Sequence, residues 1–147
     1  MTVGTTDITE KTTRMLLEEG QVVFVEKYSY PSTMETFKSI EAKVVAVEMD
    51  EQGIIPAELE KECLRVKEKG WIAKVVYLIP TGQNPTGITA SLQRKKEVYQ
   101  VAQKYGLIII EDDSYYYLVI SRSNSSGKKW GTDWLFSNCQ MTRRFSQ

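Results

Sequence analysis

The sequence predicts an α/β fold in three layers, with crossover helices covering a mostly parallel sheet. Three observations carry this prediction. Four helix-like segments alternate with four strand-like runs between residues 5 and 113, the order that right-handed crossovers produce. The last strand-like run, "LIIIE", is continuously apolar, which suits a strand covered on both faces. Prolines and glycines fall where helices start and stop.

The elements follow in order. "TTDITEKTTRMLLEEG" (5–20) reads as a helix capped by Thr5 or Thr6 and closed by Gly20. "QVVFVE" (21–26) is a strand. "PSTMETFKSIEA" (31–42) places Pro31 in a first helical turn, and "KVVAVEM" (43–49) is the next strand. "DEQG" (50–53) turns the chain into "PAELEKECLRVKEKG" (56–70), a helix begun by proline and ended by glycine. "AKVVYLI" (73–79) is a strand. In the helix after it Val98, Val101, Ala102 and Tyr105 recur at i, i+3, i+4 and i+7, one apolar stripe; Lys95 and Lys96 fall on the opposite face as solvated charges. "LIIIEDD" (107–113) is the last strand. Beyond Leu118 the chain turns rich in Ser, Gly, Asn and Arg without a period, so 119–147 reads as a polar tail, loop or disordered.

Composition narrows the function. The 147 residues suffice for one modest domain with a core. Lysine plus arginine and aspartate plus glutamate both number 19, so no basic surplus points to nucleic acid or an anionic membrane. No apolar run spans a bilayer, and residues 1–20 hold no signal-peptide core. Cys63 and Cys139 lack metal-ligand spacing and read as reduced thiols, which sets the expectation of a cytoplasmic protein. Histidine is absent, which removes Ser-His and Cys-His catalysis and most zinc chemistry. Catalysis would then use Lys, Tyr, Asp, Glu or a cofactor. The chain opens almost directly on a helix and stops with no helix after its last strand, so both ends read as cut.

The candidate site residues lie at strand ends, because a parallel sheet gathers its C-terminal loops on one edge. The loop after "VVFVE" carries Tyr28 and Tyr30, and "LIPTGQNPTG" (78–87) carries Asn84. Asp112, Asp113 and Tyr115 follow "LIIIE", and Gly4-Thr5-Thr6 opens a helix N-terminus, a ready anion site. An anion cradle, a carboxylate at a buried strand end, an amide and aromatic hydroxyls suit a phosphorylated, planar, nitrogen-containing ligand. Each element also has a plainer reading. Gly4 to Asp7 fits a simple N-cap, Asn84-Pro85 fits turn chemistry, Tyr30 fits a core or interface aromatic, and Asp112-Asp113 fits a solvated strand end.

Taken in register, "TVGTTD", "VEKYSYPST", "DEQGIIPAEL", "PTGQNPTG" and "IIEDDSYYYL" resemble the class I and II aminotransferases of pyridoxal-phosphate fold type I, in the branch acting on aromatic amino acids, 2-aminoadipate and kynurenine. The likeness covers residues 2–118 and implies an incomplete large domain over 1–118. It implies that Gly4, Thr5 and Thr6 hold the phosphate of pyridoxal 5'-phosphate and that Tyr30 stacks on its ring. It implies that Asn84 donates to the phenolic oxygen and borders the substrate carboxylate, that Asp112 pairs with the ring nitrogen, and that Tyr115 reaches the same phenolic oxygen. The family register alone favours Tyr115 over Tyr116 and Tyr117. The resemblance also implies a cis Asn84-Pro85 bond, amino-acid and 2-oxo-acid substrates, and a homodimer for the full-length family.

The departures are as informative. The family's Schiff-base lysine, in a Ser-x-x-Lys setting on a later strand, has no counterpart here, so no catalytic residue is assigned. Ser125-Ser126-Gly127-Lys128 matches the letters but follows Tyr115 too closely, within a polar, strandless stretch. The arginine that binds substrate carboxylate and the N-terminal arm are also missing. Three functional readings follow: part of an aminotransferase, inactive alone; a catalytically dead remnant that binds a partner; and a transcription regulator with an aminotransferase-like domain. Asn84 and the lack of basic helices count against the last.

Overall fold

The computed structural model describes residues 4–116 and 139–142. Its elements are α1 (Thr5–Leu16), β1 (Val22–Glu26), α2 (Pro31–Ser39), β2 (Lys43–Val47), β3 (Met49–Asp50), β4 (Gly53–Ile54), α3 (Pro56–Glu68), β5 (Ala73–Leu78), α4 (Leu92–Tyr105), β6 (Ile108–Asp112) and β7 (Cys139–Thr142). The main sheet runs β2-β1-β5-β6-β7. Its first four strands are parallel, and β7 is antiparallel to β6.

Every residue of β1 and β6 is buried, because helices cover both faces. Alternate side chains of β1 divide between two cores. Val22 and Phe24 pack with Leu59, Val66, Val98 and Val101 beneath α3 and α4. Val23 and Val25 pack with Phe37, Tyr77 and Ile110 beneath α1 and α2. The chain leaves β1 toward β2 on one side and returns to β5 on the other. Sheets of this kind bind ligands outside the strand ends where that reversal occurs.

Four details differ from the sequence expectations. The N-cap of α1 is Gly4 (φ 149°, ψ 179°), which has no side chain to cap the helix. Thr5 and Thr6 already have helical backbone, so neither hydroxyl stands in the capping position. Helix α1 ends at Leu16, ahead of Gly20, because Leu17 turns extended and is buried in the core. The "DEQG" turn is the tip of a two-stranded hairpin, β3-β4. Arg94 of α4 pins that hairpin with two bonds to the Asp50 carboxylate (2.8 and 2.9 Å) and one to the Ile54 carbonyl (2.9 Å). Finally, residues 139–142, inside the segment read as a strandless tail, pair with β6. An open edge offers unpaired N–H and C=O groups to any backbone, so such pairing leaves no mark in composition. The remainder of that segment, Lys128 and Lys129 included, lies outside the described residues.

Helix α4 shows how local sequence fixes an element. Ser91 is its N-cap and accepts from the Arg94 N–H at 3.2 Å, while Gly106 at φ 67° closes it. Ser91→Ala should cost about 1 kcal/mol of folding stability. Urea unfolding reads this directly, and an unchanged midpoint would show that the cap contributes nothing.

Candidate functional site

Chain segments meet in one crevice because each leaves the sheet, or begins a helix, on the same edge. Thr5 and Thr6 start α1, Tyr30 is the N-cap of α2, Asn84 lies in the loop after β5, and Asp112 ends β6. These residues, with Thr9, Thr33, Ile79, Ser114 and Tyr115, line a cavity of about 270 Å³. Six of the seven residues to which the resemblance gives a role therefore converge, and the seventh, Gly4, stands immediately before them as the cap of α1; Tyr28 and Asp113 are not among the lining residues.

Asp112 is 8 % exposed, and its carboxylate is held from two sides. The Tyr77 hydroxyl donates to Oδ2 at 2.8 Å, and the Ser114 hydroxyl donates to Oδ1 at 2.6 Å. The geometry follows from register. Tyr77 pairs with Ile110, and Asp112 is two residues on, on the same face of the sheet. Because the single Tyr77 proton is committed to Asp112, its oxygen accepts from Thr33, 3.3 Å away. Tyr77 is fully buried and meets Phe37 edge-on, with centroids 5.7 Å apart. The carboxylate is thus fixed in direction and keeps acceptor capacity for a ligand.

The start of α1 lines the same cavity. The first-turn N–H groups of a helix have no carbonyl partner within it, and they carry the positive end of its dipole. Thr5 and Thr9 recur at helical spacing and both line the cavity. The Thr9 hydroxyl is buried without a hydrogen-bond partner among the described residues.

The loop after β5 is built around two buried side chains. Glu26, at the end of β1, accepts from the Ile79 N–H (3.0 Å) and from the Gln83 amide (3.3 Å). Burial pushes the Glu26 carboxyl up to about 7, against the opposing pull of those two donors. The Asn84-Pro85 bond is cis. Gly82 has φ 55°, and a Cβ there would stand 3.2 Å from the Tyr115 Cβ, so a larger residue would be strained and would crowd Tyr115. Tyr28, in the loop after β1, is instead exposed, with Lys27 near its ring.

No lysine lines the cavity among the described residues. Lys95, expected to be solvated, borders a smaller void on the opposite face of the sheet, together with Glu26, Glu111 and Arg94. The described residues hold no group of three potential metal ligands, and no described helix is long and apolar enough to cross a membrane.

The profile of the family described as "Aminotransferase class I and II" matches residues 1–135. The chain belongs to that family. An aromatic amino acid aminotransferase of Schizosaccharomyces pombe is 36 % identical over 146 residues, which make up 97 % of this chain and 30 % of the relative. Aminotransferase Aro8 from Candida albicans superimposes with a TM-score of 0.73 at 40 % identity, over 80 % of this chain and 24 % of that structure. LysN, an α-aminoadipate aminotransferase from Thermus thermophilus complexed with N-(5'-phosphopyridoxyl)-L-leucine, superimposes with a TM-score of 0.64 at 28 % identity, over 77 % and 28 %. The chain thus spans under a third of the length of each of these aminotransferases. The family match reaches past Leu118, into the segment read as a tail.

Sequence reasoning passed over five site residues of this aminotransferase-family chain: Thr9, Thr33, Tyr77, Gln83 and Ser114. Two carried a usable signal. Tyr77 is the sole residue with a polar tip in the apolar run "VVYLI", and a buried tyrosine hydroxyl needs a partner. Thr9 lies one helical turn after Thr5. Gln83 and Ser114 depend on loop geometry, and Thr33 on how α2 meets Tyr77 of β5.

Proposed function

We propose that this chain carries the cofactor-holding part of a pyridoxal-phosphate-dependent aminotransferase. The enzyme would move an amino group from an amino acid of the aromatic or 2-aminoadipate class to a 2-oxo acid. One observation carries the reading: a buried, doubly bonded carboxylate, Asp112, and the start of α1 line a single cavity. That donor set fits a molecule with a protonated ring nitrogen at one end and a phosphate at the other.

The residues divide the work. The first-turn N–H groups of α1, with Thr5 and Thr6, would hold the phosphate. Asp112 would accept the ring N–H and keep that nitrogen protonated, with Tyr77 and Ser114 fixing the carboxylate's direction. Tyr30 would cover a ring face. Asn84 and Tyr115 would donate to the phenolic oxygen, and Asn84 would also border the substrate carboxylate. When bound, the cofactor supplies an electron sink for the reacting carbon.

Saturable binding of pyridoxal phosphate to the 147-residue chain, competed by inorganic phosphate, is the expected result; no saturable binding would sink the reading. The chain alone should not exchange amino groups between an amino acid and a 2-oxo acid, because no described cavity residue can hold the cofactor covalently or relay the proton. Borohydride reduction and peptide mapping check this independently. Stoichiometric labelling of Lys128 together with turnover would bring that lysine into the site.

A further inference from the structure

Gln83 is 2 % exposed, and its side-chain amide is fully engaged. Its Nε2 donates to Glu26 Oε2 (3.3 Å) and to the carbonyl of Tyr28. Its Oε1 accepts from the Thr86 N–H (2.9 Å) and the Thr86 hydroxyl (2.5 Å). The backbone closes the loop on itself: the Gln83 N–H donates to the Ile88 carbonyl (2.8 Å), and the Gly87 N–H donates to the Gln83 carbonyl (2.5 Å). One amide therefore ties together the loop after β1, which ends in Tyr30, the carboxyl at the end of β1, and the loop after β5, which holds Asn84.

We propose that Gln83 is a positioning residue that sets the separation of the Tyr30 and Asn84 walls of the cavity. The inference rests on the cofactor reading above for its consequence in binding, but not for its structural content. Gln83 is absent from the cavity wall, and the start of α1 lies on another element. The amide should therefore matter for whatever touches Tyr30 and Asn84, and not for an anion held by α1.

The test compares the wild-type chain with Gln83→Met, which keeps side-chain length and loses every side-chain bond, and with the milder Thr86→Val, which removes one donor from an exposed position. Amide exchange without ligand should quicken at least about tenfold at residues 27–30 and 84–88 in Gln83→Met, with β1, β5 and β6 unchanged. Thr86→Val should show the same pattern more weakly, and it decides the question if Gln83→Met does not fold. Pyridoxal phosphate affinity should fall about tenfold or more, while inorganic phosphate affinity stays within about twofold. Exchange that is unchanged in the two loops, or that rises evenly through all strands, would overturn the proposal. If the wild type binds neither ligand, the cofactor reading fails, and the exchange pattern alone still decides the role of Gln83.

Discussion

Asp112→Ala should weaken pyridoxal phosphate binding by at least about thirtyfold, since removing one partner of a buried, hydrogen-bonded charge pair costs about 2–5 kcal/mol. On the cofactor reading the ring nitrogen would forfeit its counter-charge; the Tyr77 and Ser114 hydroxyls also lose their acceptor, a cost to folding that the free and the bound chain share. Tyr77→Phe isolates that folding cost, because it leaves the carboxylate and removes one donor, an effect of about 1 kcal/mol on stability. Titration followed by absorbance measures both variants, with circular dichroism to confirm folding. Equal affinity for wild type and Asp112→Ala would show that this carboxylate does not meet the cofactor.

Glu26→Gln should make the fold more stable at pH 8 and almost neutral at pH 4.5. In the folded chain the Glu26 carboxyl titrates near 7, against an ordinary value of 4.5. The folded state therefore holds a proton that the unfolded state releases as pH rises between those values. Stability is greatest below the unfolded value, is lost as pH climbs to the folded one, and stays at its lower level above it. The raised value corresponds to about 3 kcal/mol, or roughly 10 °C in melting temperature for a domain of this size. Glutamine keeps an oxygen to accept from Ile79 and Gln83 while carrying no charge. Other shifts among the described residues fall outside this window: burial pushes Cys63 up to about 12, and Arg94 holds Asp50 below its usual range. Melting curves from pH 4.5 to 8 supply the check; parallel curves for the two proteins would refute the assignment.

Most of the architecture was legible because it is periodic. The helices, the four parallel strands and their succession along the chain follow from apolar runs, one 3.6-residue stripe and Pro/Gly punctuation. What escaped is what period cannot encode. The β3-β4 hairpin is anchored by the Arg94 side chain from a distant helix. The cap of α1 depends on a backbone angle at Gly4, and β7 depends on an edge left free by β6. The site divides in the same way. Residues at strand ends and helix starts could be named from order alone. Gln83 could not, because its importance lies in joining two bonds to Thr86 within its own loop with two, to Glu26 and Tyr28, that exist only after β1 and β5 are side by side.

The walls of the cavity come from Thr5 at one end of the continuous described run and Tyr115 at the other. No local stretch can form it, because the ends of four chain segments must first be brought together at the entropic cost of closing the loops between them. A molecule that occupies the cavity therefore meets only the finished fold, and by mass action it stabilises the whole domain rather than a loop. At a concentration a hundred times its dissociation constant, that gain is about 2.7 kcal/mol, a large fraction of what holds a single domain together. Occupancy and folding become two readings of one equilibrium.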